Sequence, residues 1–259
     1  MGFLDEFLDN IVGQAKNLQT RLEEITSPPE PRETQQQSLL ALEQFIQNYY
    51  HSNSLTNQQA YTKLQNGVVE ITMFGQHSSN GLLITENGYI LTAKHCVQDI
   101  TNKKYLGLGI QMSNQLSPFP YAIQEIWSDK KFDIAIIKAG IPGEIKPCQY
   151  KFLPPGELKK NLPIGTMSCW NNKIKLHGGT IIDESIEITE IEGVHFSNHF
   201  IIDGPPTIKG DSGGIVLTPS GKLAGFISTG TDERYTSAVN LQNALELISY
   251  YIHYKRSQT

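Results

Sequence analysis

From Val68 onward the chain consists of short apolar runs, each closed by turn chemistry, and this rhythm limits the possible folds more than any other feature. The runs are Val68–Met73, Gly81–Thr85, Tyr89–Thr92, Ala122–Ile126, Ile134–Lys138, Thr180–Ile182, Phe200–Ile202, Ile215–Thr218 and Leu223–Ser228. Turn pairs such as Asn87-Gly88 and Ser220-Gly221 lie between them, where tight hairpins form. Many short strands at this spacing predict a sandwich or barrel. With 259 residues there is room for one large or two modest cores, and the 39% hydrophobic and 18% charged composition excludes wholesale disorder.

Helical spacing occurs only towards the two ends. Leu4, Leu8, Ile11, Ala15, Leu18, Leu22 and Ile25 recur every three to four residues, predicting a heptad-patterned helix over 1–26. Such a seam either packs on its own protein or offers residues 4–25 to a helical partner or a second copy. A Pro-rich linker over 27–35 (Ser27-Pro28-Pro29-Glu30-Pro31 at its start) removes backbone donors and ends the pattern. A second helix is expected over 36–51, with Leu39, Leu42, Phe45, Ile46 and Tyr49 on one face, and a last one from Leu241 to Tyr251. The expected organisation is a helical extension over 1–60 followed by a β-rich domain over 61–259.

Charge narrows the partners. Of the net −5, residues 1–37 carry −4, from seven acids against three bases, so the body is almost neutral. It offers no basic stripe for a phosphate backbone, and the acidic leader suits no anionic membrane; neither nucleic acid nor membrane is an expected partner. No apolar run approaches the roughly 20 residues that span a bilayer, and Asp5, Glu6 and Asp9 stand where a secretory signal would be basic. Glu6 likewise conflicts with a myristoylation signal at Gly2. The expected setting is cytoplasmic. The cysteines Cys96, Cys148 and Cys169 are odd in number and show no metal-ligand spacing. His195 and His199 stand four apart in an extended-looking stretch, where such a pair does not share a helical face, so no metal site is expected.

Three segments carry chemistry: Leu91-Thr92-Ala93-Lys94-His95-Cys96, Phe132-Asp133-Ile134-Ala135-Ile136-Ile137-Lys138 and Gly210-Asp211-Ser212-Gly213-Gly214. A serine hydroxyl is a poor nucleophile at neutral pH. An imidazole must take its proton, and a buried carboxylate must fix that imidazole's tautomer. Ser212, His95 and Asp133 supply these types; Asp99 and Asp129 are rival carboxylates, but Asp133 directly precedes an apolar run. The glycines let the chain turn so that the amide hydrogens of Gly210 and Ser212 can face a developing oxyanion.

In the order His, Asp, Ser, separated by 38 and 79 residues, these segments resemble the chymotrypsin/trypsin-like serine protease family over roughly residues 64–254. The stretch Ser79-Asn80-Gly81-Leu82-Leu83-Ile84-Thr85-Glu86-Asn87-Gly88-Tyr89-Ile90-Leu91-Thr92 is similar to its high-temperature-requirement branch, though no PDZ module follows. The resemblance implies a mostly β fold, a double six-stranded antiparallel β-barrel with an α-helical N-terminal extension and a C-terminal helix. It implies a cleft site, peptide substrates and no cofactor. It assigns His95, Asp133 and Ser212 to catalysis, Gly210 and Ser212 to the oxyanion hole, and Thr207, Ile208, Ser228, Thr229 and Gly230 to substrate binding. Pro206 at the pocket base, where an acid would select Arg or Lys, points to a small or apolar side chain before the cleaved bond. Two departures stand out. Cys96 has no half-cystine partner in the preceding strands, and Ile11-Val12-Gly13 lies too far upstream to give Asp211 the ion pair that activation provides in digestive relatives. Activity therefore rests on a preformed site or on control through the leader, and a catalytically locked binding protein or an esterase remain the alternatives.

Overall fold

The computed structural model describes residues 32–51, 64, 66–74, 76–97, 107–112, 121–129, 132–141, 150–154, 156–171, 173–191, 194–204, 207–231 and 234–258. The heptad helix over 1–26, the linker before Arg32, Asp99, Cys148 and Pro206 lie outside them.

Helix α1 (Arg32–His51) precedes six strands: β1 (Val68–Met73), β2 (Gln76–Leu83), β3 (Tyr89–Thr92), β4 (Leu108–Met112), β5 (Tyr121–Ser128) and β6 (Ala135–Ala139). They close into a barrel in the order β1-β2-β3-β6-β5-β4, with β1 pairing β4. Seven more strands follow: β7 (Lys151–Phe152), β8 (Pro163–Trp170), β9 (Lys173–Ile191), β10 (Val194–Asp203), β11 (Ile215–Leu217), β12 (Lys222–Thr231) and β13 (Tyr235–Asn240). Six of these run β11-β8-β9-β10-β13-β12 and close through a β11–β12 pairing, which makes the second six-stranded antiparallel barrel. Two-residue β7 joins its outside, parallel to β12. Helix α2 (Leu241–Ser257) ends the fold. Among the described residues no helix is long and apolar enough to cross a membrane.

The two-residue period of a strand sorts each run between two cores. On β6, Ala135, Ile137 and Ala139 fill the first barrel with Val69, Ile71, Ile90 and Ile110. Ile134 and Ile136 face the other way, into a larger core between the barrels with Val68, Leu91, Met167 and Phe226. With both faces buried, the strands read as near-continuous apolar runs. The second barrel encloses Ile164, Ile181, Phe200, Ile202, Val216 and Ile227.

The helices belong to the same inter-barrel core. Leu39, Leu42 and Phe45 of α1 are buried, with the Phe45 ring edge-on to Tyr150 at 6.0 Å and to Phe152 at 5.4 Å. Leu241, Ala244, Leu245, Ile248, Tyr251 and Ile252 form the buried face of α2, and Arg256 meets Glu43 of α1 at 2.7 Å. Through Leu39, Leu42 and Phe45 the N-terminal extension is therefore built into the core of the β-rich body.

The first helix begins four residues before the position expected from its apolar spacing, because Arg32–Gln35 have no apolar face to signal it. Strands β4, β8 and β13 carry no clear apolar run: Pro163-Ile164-Gly165-Thr166-Met167-Ser168-Cys169-Trp170 is mixed, yet buried over most of its length.

Candidate active site

The inter-barrel position of the three motif segments follows from strand ends. His95 sits in a 3₁₀ turn, Lys94–Cys96, directly after β3. Asp133 precedes β6, which pairs with β3 through Thr92↔Ala135. The neighbouring strands thus deliver the two residues side by side: His95 Nδ1 lies 2.8 Å from Asp133 Oδ2, and the His95 backbone N–H donates to Asp133 Oδ1 at 2.9 Å. Asp133 is fully buried, and its carboxylate also accepts from the Ser228 hydroxyl. Asp129 caps a different turn by accepting from the Phe132 amide at 2.8 Å.

Burial raises the Asp133 carboxyl, but the His95 side chain, the Ser228 hydroxyl and the His95 amide together outweigh it and hold the group below the ordinary carboxylate range. For His95, burial works against the cation, while Asp133 and the sulfur of Cys96 favour it and prevail. The imidazole is pushed up to about 10. The free thiol of Cys96 lies 3.7 Å from His95 Nε2, the nitrogen that faces away from Asp133.

Ser212 lies in the turn before β11, and its hydroxyl donates to the Ser228 carbonyl at 2.8 Å. Ser228 thus touches both partners: its side chain is on Asp133 and its carbonyl on Ser212. In this resting arrangement the nucleophile candidate is parked on a backbone oxygen rather than on His95. The turn depends on glycine. Gly213 has φ +78, and a Cβ there would stand 1.9 Å from the Asn80 carbonyl oxygen. Among the described residues, the amide hydrogens of Gly210 and Ser212 donate to no other group, so both remain available to an anion.

Asp211, whose partner the sequence left open, is satisfied from within the second barrel: Ser168 Oγ donates to its Oδ1 at 2.7 Å and the Ile208 amide to its Oδ2 at 2.9 Å. No N-terminal amine is needed. The signal was hidden because Ser168 lies on β8, the strand without an apolar signature.

Thr229 and Gly230 pair with β13, and no described strand adds to their other edge, leaving backbone groups beside Ser212 for an extended chain. Thr207 is buried, and Thr236 Oγ1 donates to its hydroxyl at 3.2 Å. It packs so close to Gly230 that a Cβ there would meet the Thr207 carbonyl at 2.6 Å. Ile208 is half exposed at 53%, and Thr229 is partly buried. Among the described residues no group of three or more His, Cys, Asp or Glu side chains gathers to hold a metal ion. His195 and His199 both lie on extended β10.

Comparison with protein families matches the Trypsin model to residues 55–248. Comparison with curated proteins gave no match. Similar solved structures include the apo MamO protease domain from Magnetospirillum magneticum (14% identity, TM-score 0.59, covering 72% of this chain and 97% of that one). Others are Deg5 (17%, 0.61, 76% and 94%) and the HtrA-type protease AlgW with a decapeptide (12%, 0.60, 77% and 68%). At these identities the likeness is one of fold.

Proposed function

Because this chain belongs to the trypsin family, we propose that it is a serine endopeptidase in which Ser212, His95 and Asp133 cleave peptide bonds through an acyl-enzyme. Ser212 attacks the carbonyl as His95 takes its proton. The oxyanion settles on the amides of Gly210 and Ser212, and His95 then protonates the leaving amine and activates the water that releases the product. Asp133 holds the imidazole throughout. No cofactor enters the scheme.

The observation that carries this reading is the fully buried Asp133 carboxylate, bonded at once to His95 Nδ1, the His95 amide and the Ser228 hydroxyl, whose own carbonyl holds Ser212. A structural carboxylate has no need of an imidazole beside a serine turn with two unengaged amides. The buried, mutually bonded Thr207 and Thr236 support a small side chain before the cleaved bond. We further propose a cytosolic setting, in keeping with the free thiol of Cys96, and a role for residues 4–25 in engaging a helical partner or a second copy that controls the site.

One observation favours a second reading, a locked protease fold used for binding: the Ser212 hydroxyl is held by Ser228 while His95 Nε2 faces Cys96. A fluorophosphonate probe with a peptide library separates the two. Labelling and cleavage that vanish in Ser212→Ala support the peptidase; folded protein that neither labels nor cleaves refutes it, and labelling with ester but no peptide turnover supports an esterase.

A further inference from the structure

A second buried polar cluster touches the serine turn from the first barrel and takes no part in the steps above. It is centred on Glu70 and His77, whose side chains are 3% and 4% exposed, and on Asn80, which is fully buried. Burying a carboxylate and an imidazole is costly unless both are bonded. Here Glu70 Oε2 lies 3.1 Å from His77 Nδ1, and the Cys169 thiol donates to Glu70 Oε1 at 3.2 Å. The Trp170 ring covers His77 at 4.3 Å between centroids.

The other end of this cluster is the Gly210 carbonyl. His77 Nε2 lies 3.0 Å from it and Asn80 Nδ2 2.7 Å. A carbonyl only accepts, so Nε2 carries a proton, and the two donors use both lone pairs of the oxygen. Gly210 has φ +101, a conformation that only glycine holds easily; the same residue has the least intrinsic preference for any one arrangement. Something outside the loop must fix it.

Asn80 also grips the other side of the turn, because its backbone N–H donates to the Ser212 carbonyl at 2.7 Å. It is itself held at every polar group: Oδ1 accepts from the Cys169 amide at 2.7 Å and its carbonyl from Thr92 Oγ1 at 2.6 Å. The residues that carry both oxyanion amides are therefore anchored by one rigid peg from the opposite barrel, with the His77–Glu70 pair as its second support.

We propose that Asn80 and the Glu70-backed His77 are positioning residues of the oxyanion hole, which fix the Gly210 carbonyl and so aim the Gly210 and Ser212 amides at the developing anion. The inference rests on the peptidase reading. Its effect belongs to the transition state and not to ground-state peptide binding.

The test compares Asn80→Asp, His77→Ala and His77→Gln in the full chain. Three measurements are needed: kcat and KM on a peptide substrate, inhibition by a matching peptide aldehyde, whose adduct carries the oxyanion, and peptide affinity in a Ser212→Ala background. Loss of one oxyanion donor costs on the order of 10²–10³ in kcat, and misplacing it accounts for part of that. Asn80→Asp and His77→Ala are expected to lower kcat about 10- to 100-fold with KM within about twofold. Aldehyde affinity should fall by the same factor as kcat/KM, and peptide affinity should not change. His77→Gln, which can still donate to the carbonyl, should recover most of the loss. If Asn80→Asp does not fold, the two His77 variants decide.

Folded variants with kcat within twofold of an active wild type overturn this inference alone. So does a kcat loss matched by equal loss of peptide affinity, or failure of both Asn80→Asp and His77→Ala to fold. A wild type that neither labels nor cleaves refutes the peptidase reading and this inference with it.

Discussion

The proton on His95 is the most exposed point of the proposed mechanism. Its imidazole is partly open at 28% of the side-chain surface, with Asp133 at 2.8 Å on one nitrogen and Cys96 sulfur at 3.7 Å on the other. These neighbours overcome the effect of burial and move the group from 6.5 to about 10. At about 1.4 kcal/mol per unit, the cation is favoured by roughly 5 kcal/mol over an unperturbed imidazole. A protonated imidazole cannot take the Ser212 proton, and at pH 7 only about one molecule in a thousand carries the neutral base. The expectation is a kcat/KM that still climbs between pH 7 and 9, close to tenfold per unit. Replacing Cys96 by Ala removes one of the two groups that favour the cation and should move the acid limb to lower pH. The assay is peptide hydrolysis from pH 5 to 10.5, with the imidazole followed by NMR in the same samples. An acid limb centred near 6.5 and unaltered by Cys96→Ala would refute the reasoning. Stability runs the opposite way. A raised His95 value stabilises the fold fully below about 6.5 and loses that contribution as pH rises through about 10, whereas Asp133, held low, contributes above the ordinary carboxylate range and loses it on acidification. The pair supports the fold best on the acid side of neutrality, where the base is least available.

Two further outcomes follow from local geometry. Gly213→Ala puts a Cβ 1.9 Å from the Asn80 carbonyl and 2.5 Å from Thr92 Oγ1, at a φ of +78. It should abolish probe labelling and cost more than about 3 kcal/mol by urea denaturation, since backbone and not a pliable side chain must yield. Asn240→Ala removes the cap in which Asn240 Oδ1 accepts from the Gln242 amide at 3.0 Å. The expected loss is about 1 kcal/mol in unfolding free energy with kcat unchanged.

The parts of the fold legible in the chain were those where period and turn chemistry agree. The runs at Val68, Tyr89 and Ile134 alternate between two apolar cores, so burial on both faces wrote itself into the residues. The His, Asp and Ser segments stood out because acyl transfer needs these residue types beside tight turns. Strands β2 and β8 were illegible in part for the opposite reason. His77 and Asn80 of β2 and Ser168 of β8 are polar because they bond to the serine turn at the inter-barrel seam, where hydrogen bonds replace apolar contact. The side-chain partner of Asp211, Ser168, and the peg at Asn80 lie on these strands. Long-range pairings of this kind leave no local period to read.

The clasp between α1 and α2 has a mechanical consequence. The Glu43–Arg256 bridge and the burial of Leu39, Leu42 and Phe45 weld the stretch after Arg32 to the last helix of the body. Anything that grips the chain upstream therefore tugs on the scaffold that carries the cleft, as a handle does, and not on a slack leash.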